Sequence, residues 1–245
     1  MRAERLGPTV AIITGAGGGI GRSIALALAG DGMAVSLWGR SEASLEETAE
    51  LIRAAGGTAL ALVADVADED AVAVATARTV SELGRIDVLV NNAALNHPPT
   101  AVLDLDPDVW RQVVDVNLTG TFLCVRHVVP HMVEAGSGRV ISISSIGGRK
   151  GGKGRAAYRA TKAALINLTE TLASEVHASG VTVNCVCPGG TDTPMARVIG
   201  LTQAPEELSH PDDIAEVVRF LASDRSRAIT GTSIDAFGPA NPLFR

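Results

Sequence analysis

The sequence predicts a single α/β domain built on a doubly wound, parallel sheet with helices on both faces. Three observations predict it: the length of 245 residues, the composition, and the order of the apolar segments. Apolar residues make up 46% of the chain, and 26 glycines accompany only 3% aromatic residues, which suits a buried sheet of small aliphatic side chains. Strand-like runs alternate with helical periodicity, and no linker or repeat divides residues 1–245.

Short apolar runs bounded by turn residues predict the strands. They lie at 9–14, 34–38, 59–63, 87–91, 139–144, 181–186 and, last, near 232–236. Between them, apolar residues recur with a 3.6-residue period, which predicts helices at 20–30, 42–55, 68–83, 107–134, 156–178 and 212–222. Glycines at 32, 56–57, 84 and 180 stand where these helices are expected to end. In such sheets, functional residues gather after the carboxyl ends of the strands.

The charge and the cysteines exclude several classes of protein. A net charge of −6 gives no reason to expect nucleic acid as a partner. No apolar run is long enough to span a bilayer, and residues 1–8 lack the core of a signal peptide. Cys185 and Cys187 share one face of a strand, with no histidine beside them at zinc-site spacing. We therefore expect buried, reduced thiols in a cytoplasmic protein, with no metal site.

A glycine-rich turn between the first strand and the first helix predicts a dinucleotide site. It runs Thr14-Gly15-Ala16-Gly17-Gly18-Gly19-Ile20-Gly21, and its candidate cofactor contacts are Gly15, Gly18, Gly19, Ile20 and Gly21. Glycines let the backbone approach a pyrophosphate, whose charge meets the amides at the start of the helix. A P-loop is excluded, because it would need glycine at Ala16 and lysine at Arg22.

The residues after the second and third strands bear on the choice of cofactor. Where a carboxylate would bind a free ribose 2′-hydroxyl, the chain has Gly39-Arg40-Ser41. The planar guanidinium of Arg40 suits a 2′-phosphate, so NADP(H) is favoured over NAD(H), which stays possible. The alternative is an exposed arginine at the start of a helix capped by Ser41. Asp65, followed by Val66, is a candidate for the adenine amino group or for the cap of the next helix.

Polar residues at four places in the sequence form a candidate catalytic set. Tyr158 and Lys162 are four apart, so a helix places both on one face, where an ammonium is expected to lower the pKa of a phenol. Ser144 and Ser145 end the fifth strand, where a hydroxyl can bond a substrate oxygen or cap a turn. Asn117 lies inside a predicted helix, which asparagine disfavours; this indicates a functional role or a local kink.

Taken together, these motifs resemble those of the short-chain dehydrogenase/reductase family over nearly the whole chain. The resemblance rests on the glycine-rich turn, Asp65-Val66, Asn91-Asn92-Ala93-Ala94, Asn117, Ser145, Tyr158-x-x-x-Lys162, Pro188-Gly189 and Thr193. It implies a seven-stranded Rossmann-type sheet, usually assembled as a homotetramer, with a homodimer as the alternative. The helices that contain Asn117 and Tyr158 would form the contacts between subunits.

The resemblance also implies roles for individual residues. Tyr158 would be the proton donor and acceptor, and Ser145 the partner of the substrate oxygen. Lys162 would hold the nicotinamide ribose, and Asn117 would support a water relay. Further cofactor contacts would be made by Asn92, Ala93, Pro188, Gly189, Thr191 and Thr193. Two departures stand out, namely Ala94 where glycine is usual and a proline-rich tail carrying Phe237 and Phe244 that is expected to pack onto the protein or a neighbouring subunit.

Clues to the substrate are fewer. The loop 147–155 holds five glycines and four cations, among them Lys153 and Arg155, and is either a site for an anionic substrate or a solvated loop. His97 follows the fourth strand and either lines the pocket or lies on the surface. The resemblance also implies that a segment at about 190–210 caps the substrate. This segment looks short, which predicts an open pocket for a small polar or carrier-borne substrate. Among the possible functions, a 3-oxoacyl-carrier-protein-type reductase is favoured. The alternatives are a sugar, polyol or sugar-acid dehydrogenase and a catalytically idle cofactor sensor.

Overall fold

The computed structural model describes residues 9–200 and 208–238 and confirms the predicted sheet. Seven strands, all parallel, lie in the order β3-β2-β1-β4-β5-β6-β7. Their bounds are β1 Val10–Thr14, β2 Ala34–Gly39, β3 Ala59–Val63, β4 Val88–Asn91, β5 Gly138–Ile143, β6 Val181–Pro188 and β7 Thr232–Ala236. The order reverses between β1 and β4, which opens a crevice at the carboxyl ends of the strands.

Helices cover both faces of the sheet. They are α1 Gly19–Gly30, α2 Glu42–Ala54, α3 Glu69–Leu83, α4 Pro107–Val114, α5 Gly120–Glu134, α6 Ile146–Arg149, α7 Ala156–Val176, α8 Pro194–Val198 and α9 Pro211–Ala222. One core contains Leu28 of α1 and Leu221 of α9, and the other contains Met132 of α5 and Leu172 of α7. Buried strands of Val, Ile and Leu fill the space between them, as expected for a sheet with both faces covered.

The structure corrects the predicted helix 107–134. The helical turns between α4 and α5 widen into a π-helical segment, Asp115–Thr119, with Asn117 at its centre. The expected kink is therefore one extra residue in a turn, a feature that marks many functional sites. Two short helices, α6 and α8, were not predicted, and β6 continues two residues beyond 186 to Pro188. These last residues pair only with β7, because β5 ends opposite Val186.

No helix formed by the described residues is long and apolar enough to cross a membrane. All three cysteines are buried and free, as expected. Phe237 is also buried and packs against Cys185 and Cys187, which agrees with the expectation that the tail packs onto the protein. Phe244 and the rest of the proline-rich tail lie outside the described residues.

Candidate active site

A cavity of about 440 Å³ opens at the carboxyl ends of β1, β4, β5 and β6. This size is ordinary for a small-molecule site. Most of the predicted site residues line it: Gly15, Gly18, Gly19, Ile20, Gly21, Asn92, Ala93, Ser145, Arg155, Tyr158, Lys162, Pro188, Gly189, Thr191 and Thr193. Residues that are far apart in the chain therefore meet in one place, where the strand order reverses.

The glycine-rich turn has a backbone conformation that disfavours any residue other than glycine. Gly15 and Gly19 have φ values of 66° and 52°, and a Cβ on Gly21 would lie 2.2 Å from the carbonyl oxygen of Gly15. Asn92 holds the turn against β4, since its Nδ2 donates to the carbonyl oxygens of Thr14 and Gly15 at 2.9 and 3.3 Å. The turn is thus fixed before any ligand binds.

The start of α1 fits a pyrophosphate. Its N-cap, Gly18, offers no side-chain hydrogen bond, and nothing lies within 4 Å of the position that a Cβ would take there. By contrast, α2 and α3 are capped by the side chains of Ser41 and Asp68. The first amides of α1 are left for a ligand in the cavity, and the helix dipole favours an anion at this point.

The residues that were predicted to contact the adenosine half lie outside the cavity wall. Arg40 is exposed after β2, and within the described ranges its side chain forms no ion pair. Ser41 caps α2, as that interpretation required. Asp65 accepts a hydrogen bond from the amide of Ala67 at 3.0 Å, so the idea that it caps α3 is wrong; Asp68 does so. Val66 is buried.

Lys162 is a buried cation beside Tyr158. Its Nζ donates to the carbonyl oxygen of Ile143 at 2.6 Å and lies 5.6 Å from the centre of the Tyr158 ring. Burial lowers the pKa of Lys162 from 10.5 to about 8. The hydroxyl of Ser144, behind it, donates to the carbonyl oxygen of Lys162 at 2.7 Å. The lysine is therefore held rigidly, with two of its three protons left for other acceptors.

The pKa of the Tyr158 phenol differs from the prediction. Burial raises the pKa of Tyr158 above its ordinary value. A hydrogen bond with Ser145 and the charges of Arg155 and Arg159 lower it in part. The expected lowering of this pKa is therefore not observed, because burial has the larger effect and the ammonium of Lys162 donates to the carbonyl oxygen of Ile143. Ser145 combines both predicted roles, since its Oγ also caps α6 by accepting from the amide of Gly147 at 3.0 Å.

Asn117 is buried beneath the cavity and ties three segments together. Its Oδ1 accepts from the amide of Leu95 at 2.7 Å, and its Nδ2 donates to the carbonyl oxygen of Leu95 and to Oγ1 of Thr161. The π-helical segment therefore fixes the loop after β4 against α7, beside Lys162. This arrangement explains why an asparagine stands inside the helix.

The candidate substrate residues differ in their position relative to the cavity. Arg155 lines the cavity, whereas Lys153 is exposed and does not. His97 also lies outside the cavity wall, and with 3% of its surface exposed it is not the surface histidine considered as an alternative. Arg159 lines the cavity and was missed. Its signal was present in the sequence, because it lies four residues after Arg155 and next to Tyr158.

The capping segment is joined at its base. Thr191 and Ser209 form a parallel bridge, in which the amide of Ser209 donates to Gly190 at 2.9 Å and the amide of Asp192 donates to Ser209 at 3.0 Å. α8 follows Thr191 and contributes Met195 and Ala196 to the cavity wall. Residues 201–207 lie outside the described ranges, so the expected openness of the pocket stays a prediction.

Comparison with known proteins gives a consistent result. A family model described as short chain dehydrogenase matches residues 9–204. The chain is 39% identical to a cis-4-hydroxycyclohexanecarboxylate dehydrogenase of Sinomonas cyclohexanicum, over 96% of this chain and 97% of the relative. It is 40% identical to a 3-oxoacyl-[acyl-carrier-protein] reductase of Staphylococcus aureus, over 93% and 96%. A 3-ketoacyl-(acyl-carrier-protein) reductase from Brucella melitensis, complexed with NADH, superposes with a TM-score of 0.90 at 32% identity, covering 96% and 99%.

Proposed function

The chain belongs to the short-chain dehydrogenase/reductase family and is an NAD(P)-dependent oxidoreductase, and we propose that Tyr158 exchanges the proton with the substrate oxygen. One observation carries this assignment. Tyr158 lies in the cavity wall with Ser145 and Lys162, and the uncapped start of α1 lies in the same cavity. This arrangement supports a proton donor and a dinucleotide cradle at one site.

The reaction interconverts a carbonyl and a secondary alcohol. The nicotinamide cofactor supplies or accepts the hydride. In the reducing direction the hydroxyls of Ser145 and Tyr158 donate hydrogen bonds to the carbonyl oxygen, which gains charge as the carbon is reduced. Tyr158 then gives its proton to that oxygen, and in the oxidising direction the phenolate takes the proton back. The capping bond of Ser145 uses an oxygen lone pair and not its proton, so this proton can turn from Tyr158 to the substrate oxygen.

Lys162 and Asn117 support this proton transfer. Lys162 keeps two protons for the ribose hydroxyls and for the phenolate formed in the oxidising direction. Asn117 is a positioning residue, since it holds α7 and the loop after β4 in register through Thr161 and Leu95. We assign it a place beside the water relay that returns protons from solvent to Lys162.

We propose NADP(H) as the preferred cofactor. The support is Arg40, an exposed guanidinium after β2 with no carboxylate partner among the described residues. A 2′-phosphate would give it a bidentate partner. Replacing Arg40 with alanine is expected to raise KM for NADPH about tenfold and leave KM for NADH unchanged. Equal effects on the two cofactors would remove Arg40 from the site.

The leading substrate class is a 3-oxoacyl thioester on a carrier, reduced to the 3-hydroxyacyl form. The support is the similarity to such reductases at 40% identity over almost the whole chain. A second candidate is a hydroxycarboxylate oxidised to an oxo acid. The dehydrogenase from Sinomonas cyclohexanicum, which is just as similar, is named for such a substrate, and two arginines line the cavity. A sugar-acid substrate falls within this second class.

The test is the absorbance of reduced nicotinamide with purified protein. Acetoacetyl thioesters, ketoses and oxo acids are offered with NADPH or NADH, and the matching alcohols with the oxidised cofactors. We expect turnover that falls about 100-fold or more in Tyr158→Phe, with cofactor affinity unchanged. Turnover that survives in this variant refutes the role of Tyr158. Tight cofactor binding with no turnover favours the idle sensor.

We also propose that the protein assembles as a homotetramer. α4 and α5 expose large apolar side chains, with Trp110 40% and Phe122 46% accessible. They lie on either side of the π-helical segment that contains Asn117. Apolar groups in this position favour burial against a second subunit.

A further inference from the structure

Two arginines lie beside the tyrosine in the cavity wall, at the start of α7. Arg155 directly precedes α7, and Arg159 lies one turn later, where its amide donates to the carbonyl oxygen of Arg155 at 3.0 Å. Arg155, Tyr158, Arg159 and Lys162 follow the spacing i, i+3, i+4, i+7, and all four line the cavity. Two permanent cations therefore flank the phenol that exchanges the proton.

Neither arginine has a carboxylate partner within the described residues, in contrast to Arg149 of the same loop. Arg149 donates to Oδ1 of Asp235 at 2.7 Å and to the carbonyl oxygen of Ser233. Arg159 donates through Nη1 to the carbonyl oxygen of Lys150 at 3.0 Å, while its Nε is buried and has no partner among the described residues. A buried donor without an acceptor costs free energy, so Arg159 keeps hydrogen-bonding capacity that no described residue uses.

The positive charges of the two guanidinium groups also repel each other. Burial lowers the pKa of Arg159 below its ordinary value, and the charge of Arg155 lowers it further. Like charges held together in a partly dehydrated pocket favour a bound anion, which relieves their repulsion.

The glycine-rich loop makes room for Arg159. A Cβ on Gly152 would lie 2.5 Å from both Cζ and Nη2 of Arg159, and a Cβ on Gly147 would lie 3.3 Å from its Cγ. These glycines let the loop backbone lie directly against the side chain. The loop is therefore shaped to hold the guanidinium at the cavity, which gives the basic loop of the sequence a specific purpose.

We infer that Arg155 and Arg159 bind the carboxylate of a compact hydroxy- or oxo-carboxylate whose reacting carbon lies at Tyr158. This rests on the proposed function and chooses its second substrate class. A planar carboxylate matches the fork of a guanidinium, and both arginines line the cavity without a carboxylate partner among the described residues. The same oxyanion chemistry could be offered by the phosphates of a coenzyme-linked thioester, and the experiment separates these sources.

The test compares matched substrates in matched variants. The substrates are 4-oxocyclohexanecarboxylate, its neutral methyl ester, acetoacetyl-coenzyme A and the uncharged acetoacetyl thioester of N-acetylcysteamine. The variants are Arg155→Met, Arg159→Met and Gly152→Ala, which displaces the Arg159 guanidinium. Lys153→Met is the control, because Lys153 is exposed in the same loop and lies outside the cavity wall. The ratio of kcat/KM for acid and ester cancels any effect of the arginines on Tyr158.

We expect this ratio to fall about 10- to 100-fold in each arginine variant, as for loss of a hydrogen bond to a charged group. It should fall less in Gly152→Ala and stay constant in Lys153→Met. An unchanged ratio overturns the proposal. So does a loss confined to acetoacetyl-coenzyme A, since that would assign the arginines to a phosphate.

A binding measurement separates this inference from the proposed function. Cyclohexanecarboxylate, which has no carbonyl to reduce, is titrated calorimetrically into the protein saturated with NADP⁺. Binding that Arg159→Met abolishes and Lys153→Met retains supports the subsite even if no substrate turns over, in which case the proposed function fails alone. Binding that is absent from the wild type, or equal in all variants, overturns the subsite.

Discussion

Replacing Lys162 with methionine is expected to stabilise the protein at neutral pH while it abolishes activity. The ammonium is fully buried, and burial lowers its pKa from 10.5 to about 8. Since a tenfold change in an equilibrium constant corresponds to about 1.4 kcal/mol, the charged form costs the folded state about 3 kcal/mol at pH 7. Methionine has a similar length and no charge. It leaves the carbonyl oxygen of Ile143 without its 2.6 Å hydrogen bond, which costs about 1–2 kcal/mol.

The net gain at pH 7 is therefore about 1–2 kcal/mol, or about 2–8 °C in Tm for a chain of this size. Between pH 8 and 10.5 the unfolded lysine binds more protons than the folded one, so the wild type gains stability as pH rises. The advantage of the variant should vanish, and then reverse, over this interval. Thermal unfolding is followed at one fixed protein concentration from pH 7 to pH 10, with Lys153→Met as the exposed control. A variant that melts below the wild type at pH 7, or a difference that does not narrow with pH, refutes the reasoning.

Three other predictions test the cofactor turn, the phenol and the assembly. Gly21→Ala places a Cβ 2.2 Å from the carbonyl oxygen of Gly15, so NADPH affinity should fall about 100-fold or more by titration; a near-normal affinity contradicts the rigid turn. Arg159→Met removes a charge that lowers the pKa of Tyr158, so the pH profile of alcohol oxidation should move to higher pH. An unchanged profile means that the charge of Arg159 does not affect the pKa of the phenol. Phe122→Asp should reduce the mass measured by sedimentation, and an unchanged mass moves the interface elsewhere.

Local sequence signals located most of the fold and the centre of the site. β3 and β7 begin and end where the apolar runs do, because turn residues bound short buried strands on both sides. The helical spacing of Tyr158 and Lys162 placed both in one cavity wall. The alanine at position 94 lines the same cavity without strain, since no described residue other than glycine has a positive φ.

What the sequence did not reveal depends on contacts between distant segments. The π-helical turn at Asn117 forms where its amide meets the backbone of Leu95 and the side chain of Thr161. α6 contains two glycines and has little helical propensity of its own; Ser145 caps it and Arg149 anchors it to Asp235, 86 residues away. The pKa of Tyr158 depends on burial, which spacing alone does not report.

The bridge between Thr191 and Ser209 has a consequence for how the enzyme can diversify. The chain leaves the cavity wall at Thr191 and returns beside it at Ser209, and backbone hydrogen bonds join these two ends. Lengthening such a closed excursion costs little entropy, because the cost grows only with the logarithm of its length. The stretch from 194 to 208, which begins after the predicted cofactor contact Thr193, can therefore be exchanged or extended as a unit. Recombination confined to it would produce new substrate ranges on an unaltered proton-transfer apparatus.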